Sequence, residues 1–383
     1  MSDNYADALS KLFAATAFPE NAFYIDRVFK NKRIIVYGAG ESFHYFKEIV
    51  MRRCGYVPSL VLDRKFGEND TFEGVPARSP LSYEPSESEK RDGLVVVCLG
   101  NQSYVPEVIG SLKKLGFSRI LHLMDIYEVH NPFDFPPALA ESGFQFYQDR
   151  RERIESCLDI LADDMSREVF LKCLATHMQR IPVPIPMRDR LEQYTPATIR
   201  LSRGYCRFLY CGVSVGEMAS VFDRIGKVEE LVCFEPDPNQ FARLARYLSA
   251  NHERIADRVT AMPCAVYNRD SIEPFTFSDT SFGSRIVTSG GNATVQSVAI
   301  DHVLPGFKPT FISMDIEGAE LEALEGAQRT IRANRPDLAV CVYHAPDHLW
   351  EIPLYLHGLD LGYKFYLRNY TSFVSETVLY STT

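Results

Sequence analysis

Several features that define whole classes of protein are missing from this chain of 383 residues. No stretch approaches the roughly 18–20 apolar residues that span a bilayer. Residues 1–12 carry two aspartates and no long apolar segment, so we do not expect a signal peptide. Positive charge is not in excess, because the formal net charge is −9. We therefore expect no binding to nucleic acid or to a membrane surface.

Paired cysteine motifs are also missing. The nine cysteines are scattered without any C-x-x-C spacing, and most lie in apolar, strand-like runs. This distribution indicates small buried hydrophobic residues in a reducing compartment rather than disulfides or a zinc site. We therefore expect a cytoplasmic protein.

The composition and length favour two globular domains, with hydrophobic residues making up 46% of the chain. In the first part, helical patterns separate predicted strands at 33–37, 60–63, 94–99 and 120–123. Such alternation indicates a parallel sheet covered by helices. The sequence thus predicts a Rossmann-like α/β domain over residues 1–130.

A partial nucleotide-binding motif follows the first predicted strand. Gly38 and Gly40 form a G-x-G turn with Asp63 downstream, but Phe43 occupies the position of the third glycine. The incomplete motif favours a scaffold in which the glycines allow a tight turn. A nicotinamide oxidoreductase that uses these residues is the least favoured function. Residues 62–76 loosely resemble the amino-terminal domains of sugar acyltransferases and carboxy-terminal domains of some sugar methyltransferases.

Residues 131–200 are predicted to be a helical and proline-rich connector. A helical pattern covers 138–179, and the alternating prolines at 182–186 require an extended path. We expect part of this connector to contribute to a wall over the site of the domain that follows.

Residues 201–383 have the pattern of a second α/β domain. Two alternating runs at its end, 363–369 and 372–380, are close enough to form an antiparallel hairpin. They follow five predicted strands, at 206–211, 230–234, 259–262, 310–314 and 338–343. The sequence therefore predicts a seven-stranded, mostly parallel sheet that ends in an antiparallel hairpin.

A candidate cofactor loop follows the first strand of this domain and contains Gly212, Ser214, Gly216 and Glu217. Two glycines four residues apart let the backbone approach a ligand closely before a helix begins. Glu235 ends the next strand, where an acid can accept hydrogen bonds from both hydroxyls of a ribose. The spacing therefore predicts a cofactor site at this edge of the sheet.

Two further positions complete the predicted cofactor site. Pro236 directly follows Glu235, while Asp237 with Pro238 is typical of a helix start. Asp237 is therefore interpreted as a structural helix cap, whereas Glu235 has no comparable structural role in the sequence around it. Ala265 follows the third strand, where it is in position to form a wall for an adenine ring.

The most informative stretch is residues 311–320, in which an apolar run ends in Asp315, Glu317 and Glu320. Ligands of open α/β sheets bind at the carboxyl ends of the strands, and buried acids are costly unless they are used. His344 follows the next strand and should emerge at the same edge. We predict Asp315 or His344 as the base that accepts a hydroxyl proton, with Glu317 orienting the substrate or supporting His344.

Other charged groups nearby are expected to be structural. Glu320 and Glu322 are predicted to lie on a solvated helix face, and His348 to form a surface pair. A metal held by Asp315, Glu317 and His344 is chemically feasible, since oxygen and imidazole ligands suit several divalent ions. Their spacing is not a recognised ligand signature, so acid–base chemistry is favoured and no metal is predicted.

Taken in order, these segments resemble the FkbM family of methyltransferases over residues 190–380. The resemblance is carried by Gly212-x-x-x-Gly216-Glu217, by Phe234-Glu235-Pro236 and by Asp315-Ile316-Glu317-Gly318-Ala319-Glu320. It implies the fold of class I methyltransferases and S-adenosylmethionine as the cofactor. It also implies O-methylation of a small acceptor, often a sugar hydroxyl, so we expect a carbohydrate-like partner such as a sugar or nucleotide sugar.

One position departs from the family's pattern. The family usually has Asp at the strand end two residues before the first glycine, and Tyr210 stands there in this chain. Either the tyrosine hydroxyl and Glu217 substitute for that acid, or cofactor binding is weakened or lost. The alternative function is therefore a catalytically inactive nucleotide-sugar-binding or assembly protein on two Rossmann-like scaffolds. Homo-oligomerisation is left open.

Overall fold

The structure is a computed structural model in which the chain forms two compact units. The amino-terminal unit contains Ala15–Phe146 and Ala175–Val183, and the carboxy-terminal unit contains Met1–Ala14, Tyr147–Leu174 and Pro184–Thr383. The described residues are 3–14, 28–40, 42–99, 104–123, 126, 144–179, 183–277, 284–288, 290–371 and 374–383. Residues 131–143, the first part of the predicted connector, lie outside them, and the domain boundaries at 130 and 200 stay predictions.

The amino-terminal unit is built on a six-stranded sheet in which all strands but β3 are parallel. Its strands, in the order β3-β4-β2-β1-β5-β6, are β1 (Arg33–Tyr37), β2 (Leu60–Leu62), β3 (Asp70–Phe72), β4 (Val75–Arg78), β5 (Gly93–Val97) and β6 (Arg119–His122). The central strands are buried on both faces, as their continuous runs of β-branched residues predict. This sheet confirms the Rossmann-like prediction.

Helices connect the strands of this unit. They are Phe43–Phe46, which continues into the π-helix Lys47–Arg53, followed by Glu87–Asp92 and Val105–Lys114. The helix Glu87–Asp92 begins with a capping box, in which the side chains of Ser86 and Glu89 each bond the other's backbone N–H.

The carboxy-terminal unit contains the predicted seven-stranded sheet. Its order is β16-β17-β15-β14-β7-β8-β9, with β17 antiparallel to both of its neighbours and all other pairs parallel. The strands of this unit are β7 (Arg207–Cys211), β8 (Val228–Phe234), β9 (Ala256–Met262), β10 (Ala265–Val266), β11 (Ser271–Thr276), β12 (Arg285–Ile286), β13 (Ala293–Val298), β14 (Phe311–Met314), β15 (Asp337–Cys341), β16 (Lys364–Asn369) and β17 (Thr377–Thr382). The prediction of a terminal antiparallel hairpin is confirmed.

A second, four-stranded sheet of this unit was not predicted from the sequence. It has the order β10-β13-β11-β12. The alternation of exposed and buried residues in β11 and β13 is regular only over a few positions, and β10 and β12 contain two residues each. Short strands of this kind carry too little periodic signal to be recognised individually.

The remaining helices surround the seven-stranded sheet or precede it in the chain. They are Asp3–Ala14, Phe144–Gln148, Arg151–Ile160, Asp164–Gln179, Val215–Ile225, Pro238–Ile255, Ile300–Val303, Glu320–Glu325, Gln328–Asn334 and His348–Gly358, with a 3-10 helix at Arg190–Glu192. As predicted, Asp237 caps the helix Pro238–Ile255 by accepting from the N–H groups of Asn239 and Gln240. No helix among the described residues is long and apolar enough to cross a membrane.

Two helices of the predicted connector are fixed to the carboxy-terminal unit. The thiol of Cys157 lies 3.8 Å from the carbonyl oxygen of Leu349, which joins Arg151–Ile160 to His348–Gly358. Arg368 in β16, only 2% exposed, donates to Asp163 at 2.6 Å. Seven of the nine cysteines are buried, as their apolar surroundings in the sequence predict.

Candidate active site

The loops after β7 and β14 are in direct backbone contact. Gly212 has a φ of +76°, and a Cβ there would lie 1.8 Å from the carbonyl oxygen of Asp315. The Asp315 N–H in turn donates to the carbonyl oxygen of Cys211 at 3.0 Å. Only glycine is compatible with this approach, so the candidate cofactor loop and the acidic loop are held against each other.

The other end of the candidate cofactor loop is open. At Gly216 an added Cβ would meet no atom within 4 Å outside its own helix and chain neighbours. Ser214 is the N-cap of the helix Val215–Ile225, yet its side chain makes no capping hydrogen bond. The Gly216 position is therefore unobstructed, and the Ser214 side chain is not used for capping.

Glu235 ties the ends of two strands together. Its carboxylate is 8% exposed and accepts from the Val213 N–H at 3.1 Å and from the Asp237 N–H at 2.8 Å. Burial raises the pKa of Glu235 to about 7, although both backbone bonds oppose the rise. Each carboxylate oxygen has two lone-pair positions, so one on each oxygen remains for a ligand. Pro236 lies between Glu235 and Asp237 in the chain.

Tyr210 and Glu217 form a pair at the position where the sequence departs from the family's pattern. Tyr210 is buried, and its hydroxyl donates to the Glu217 carboxylate at 3.2 Å. Burial, together with the charges of Asp315 and Glu376, raises the pKa of Glu217 well above its usual value. The structure thus delivers a carboxyl group from the helix that follows the loop, next to the end of β7.

Asp315 is surrounded by hydroxyl donors. Tyr194 donates to its Oδ2 at 2.9 Å, and Tyr343 approaches its Oδ1 at 3.4 Å. Tyr194 belongs to the predicted connector, so this part of the connector does contribute to the wall of the site. Burial raises the pKa of Asp315. The charge of His344 lowers that pKa and the charge of Glu317 raises it, so that the pKa of Asp315 lies above its usual value.

His344 lies among three carboxylates. Its Nδ1 is 2.8 Å from Glu320 Oε1, and its Nε2 is 3.3 Å from Asp315 Oδ1 and 3.5 Å from Glu317 Oε2. Burial lowers the pKa of His344, but the charges of Glu320 and Glu317 and the bond to Glu320 outweigh it and raise the pKa to about 10. In the absence of a competing cation the ring is therefore an imidazolium at neutral pH, which cannot accept a proton.

The prediction that Glu320 lies on a solvated face is wrong. Glu320 is 0% exposed, and its two oxygens accept from the Ile316 N–H at 2.9 Å and the Gly318 N–H at 3.1 Å. His348, predicted at the surface, is 5% exposed and lies 3.3 Å from Glu320 Oε2. Burial raises the pKa of Glu320, but the two histidines outweigh it and hold that pKa far below the usual range.

Glu317 has an unusual backbone conformation for a residue with a side chain. Its φ is +57°, and Gly318 follows with a φ of +104°. Left-handed conformations of this kind cost free energy and persist where the surroundings impose them, often at functional sites. The turn places the Glu317 carboxylate beside His344.

Ala265 is the first residue of β10 and is 6% exposed. It belongs to the end strand of the four-stranded sheet, three residues after the end of β9, and its predicted contact with an adenine stays a prediction. The structure thus joins Gly212, Glu217, Glu235, Asp315, Glu317 and His344 through contacts between neighbouring strand ends.

Comparison with known proteins bears on the carboxy-terminal half. Residues 211–365 match the family described as the methyltransferase FkbM domain. The carboxy-terminal half contains an FkbM-family methyltransferase domain. No curated protein matches the chain.

Solved structures extend this FkbM comparison to the fold. The chain is similar to the crystal structure of methyltransferase FkbM from Methylobacillus flagellatus KT, with a TM-score of 0.69, 20% identity, and coverage of 99% of this chain and 98% of that one. Aeropyrum pernix fibrillarin, in complex with natively bound S-adenosyl-L-methionine, matches with a TM-score of 0.31 and 13% identity, over 51% of this chain and 75% of that one. The first likeness shows a shared fold, whereas the second is too weak to do so.

The sequence reasoning missed several residues of the site in the FkbM domain. Glu320 lies four residues before the buried Leu324, so helical periodicity would have placed it on the inner face. Tyr194 has no comparable signal, because it lies in an irregular segment with a φ of +62°. Its position depends on tertiary contacts, including the bond from its own N–H to the Tyr380 hydroxyl at 3.0 Å.

The G-x-G turn of the amino-terminal unit is occupied by internal contacts. Asp63 accepts from the Ala39 N–H at 2.8 Å and the Lys65 N–H at 3.1 Å, and the Lys65 amine donates to the Ala39 carbonyl oxygen at 2.6 Å. A Cβ at Gly38 would lie 2.3 Å from the Cys98 carbonyl oxygen. These contacts agree with the interpretation of the motif as a structural turn.

Proposed function

We propose that the protein is an S-adenosylmethionine-dependent O-methyltransferase that acts on a small, carbohydrate-like hydroxyl acceptor. The observation that carries this proposal is the contact of the Gly212 loop with Asp315. In this contact a candidate cofactor loop and a partly buried carboxylate lie side by side at the carboxyl edge of an FkbM-domain sheet. Methyl transfer to oxygen needs this combination, because the methyl donor and the proton acceptor must flank the same hydroxyl.

The residues of the first two strand ends suit the cofactor. Gly212 and Gly216 leave the two ends of the loop without a side chain, and the lone pairs of Glu235 that are not used by backbone N–H groups can accept from ribose hydroxyls. Glu217 can bind an ammonium group, and Ala265 can contact the adenine. When bound, the cofactor supplies an electrophilic methyl group on a sulfonium.

Asp315 is the residue that we assign as the base. The hydroxyl proton moves to its carboxylate while the acceptor oxygen gains the methyl group, so the proton has a defined destination. The raised pKa of Asp315 brings its basicity closer to neutral pH. His344 is the poorer base because its ring is already protonated, and we assign it together with Glu317 to positioning Asp315 and the acceptor.

Calorimetry with S-adenosylmethionine and S-adenosylhomocysteine tests the cofactor assignment. Failure of both to bind at millimolar concentration would reject the proposal. If they bind, formation of S-adenosylhomocysteine with a panel of sugars and nucleotide sugars tests the acceptor class. Asp315→Asn should then abolish turnover and leave cofactor affinity within twofold, while Asp360→Asn, a change at an exposed carboxylate of the same unit, leaves both intact.

The alternative is a binding or assembly protein without catalysis, which rests on Tyr210. The bond between Tyr210 and Glu217 weakens this alternative, because Glu217 supplies an acid where the strand lacks one. Melting shifts distinguish the two functions: a response to nucleotide sugars without any response to S-adenosylmethionine would favour the alternative.

A further inference from the structure

One ring nitrogen of His344 is buried without a hydrogen-bond partner. It is Nε2 of His344, whose side chain is 7% exposed. The atom points between Asp315 Oδ1 at 3.3 Å and Glu317 Oε2 at 3.5 Å, although neither oxygen forms a hydrogen bond with it. Such separations suit two ligand atoms that are each about 2.0–2.3 Å from one shared cation.

The other ring nitrogen is fixed in the manner of a metal-bound histidine. Nδ1 of His344 is 2.8 Å from Glu320 Oε1, and Glu320 is held by two backbone N–H groups. A ligating histidine usually donates its second N–H to a carboxylate, which fixes the tautomer and aims the free nitrogen at the ion. Asp315, Glu320 and His344 also offer one potential ligand atom each within 4.8 Å of one another.

The charge of the surroundings favours a cation of more than one positive charge. Asp315 interacts with the carboxyl groups of Glu317 and Glu320, and also with those of Glu217 and Glu376. A divalent ion bound among these carboxyl groups would balance part of their negative charge.

We propose that His344 Nε2 and Asp315 bind one divalent cation beside the Glu317 carboxylate, with Glu320 as the outer partner that orients His344. The mixed set of one imidazole nitrogen and carboxylate oxygens suits Mn²⁺ and related first-row ions. On binding, the ion replaces the Nε2 proton, which is released to the solvent. The role of the ion rests on the proposed function: the bound ion would contact the acceptor oxygen and ease the loss of its hydroxyl proton.

The site is tested with Mn²⁺ alone, by titrating the full chain and following the electron paramagnetic resonance signal of the free ion. We expect one ion per chain with micromolar affinity. Asp315→Asn and Glu317→Gln should each weaken binding at least roughly tenfold. His302→Ala is the control, since His302 forms an exposed pair with Asp270 at 3.0 Å and should leave binding unchanged.

Absence of Mn²⁺ binding at millimolar concentration, or equal affinity of the wild type and both site variants, would overturn the proposal. Tryptophan fluorescence checks that each variant is folded. If Asp315→Asn does not fold, the affinity of Glu317→Gln decides the outcome. Calorimetry with S-adenosylhomocysteine separates the two proposals. Mn²⁺ binding without cofactor binding would retain the metal site and reject the methyltransferase function. Cofactor binding without Mn²⁺ binding would retain the methyltransferase function and reject the metal site.

Discussion

Glu320→Gln tests whether a buried carboxylate organises the acidic loop of the FkbM domain. The substitution keeps the shape of the side chain and removes one charge at a position that is 0% exposed. Both oxygens of Glu320 accept hydrogen bonds from backbone N–H groups, Oε1 also bonds His344, and Oε2 lies 3.3 Å from His348 Nδ1. Glutamine can accept with one oxygen only, and its amide nitrogen would face a donor, which leaves buried polar groups unsatisfied.

The size of the effect follows from the ring of His344. A pKa raised from 6.5 to about 10 favours the folded protein by about 4 kcal/mol at pH 7, at 1.36 kcal/mol per unit. This stabilisation is complete below pH 6.5 and is lost as the pH rises through about 10. Glu317 and Asp315 provide part of it. We therefore expect Glu320→Gln to lower the free energy of unfolding by about 2–4 kcal/mol at pH 7, and by less at pH 10.

The chain's single tryptophan makes this measurement specific to one unit. Trp350 is buried in the helix His348–Gly358, so its fluorescence follows urea unfolding of the carboxy-terminal unit. The buffer should contain a chelator. The matched control is Glu325→Gln, a change at an exposed carboxylate on the helix that also contains Glu320. The reasoning would be refuted if Glu320→Gln lowered the free energy of unfolding by no more than the control does. It would also be refuted if the difference in unfolding free energy between wild type and Glu320→Gln did not become smaller as the pH rises.

Three further predictions use the same unit. Glu235 has a pKa of about 7, so S-adenosylhomocysteine should bind about tenfold more weakly at pH 6 than at pH 8, and calorimetry of Glu235→Gln should show no such dependence. Gly212→Ala should destabilise the unit by more than about 2 kcal/mol, because its methyl group would meet a backbone oxygen, whereas Gly216→Ala should be neutral or slightly stabilising in urea unfolding. Asp163→Asn leaves the buried Arg368 without its charged partner, so the same unfolding measurement should show a loss of about 3 kcal/mol; a loss under about 0.5 kcal/mol would count against the pair.

The parallel strands were predictable because each is a continuous apolar run. β1 was predicted with its observed bounds, and the predicted strands at 230–234 and 310–314 coincide with β8 and β14 to within two residues. Buried strands between helices leave this pattern in the sequence, since both faces need apolar side chains. The seven-stranded sheet and the edge at which the acids lie follow from it.

The roles of individual acids could not be read from the same pattern. Glu320 is charged and begins a helix, so composition places it in solvent, yet two histidines and two backbone N–H groups cover it. The histidines come from a later segment of the chain, and their approach depends on how β14 and β15 are paired. Sequence periodicity describes one element at a time, whereas protonation is decided by contacts between elements.

The contact between Gly212 and the carbonyl oxygen of Asp315 has a thermodynamic consequence. Two loops that touch backbone to backbone cannot be displaced independently, so a ligand that orders one of them lowers the cost of ordering the other. The affinities of the two sites should then be coupled, and equally so in both directions. Measuring S-adenosylhomocysteine affinity with and without saturating Mn²⁺, in the wild type and in Gly216→Ala, gives that coupling as a ratio of dissociation constants. A ratio of one would mean that the two loops, although in contact, respond to their ligands separately.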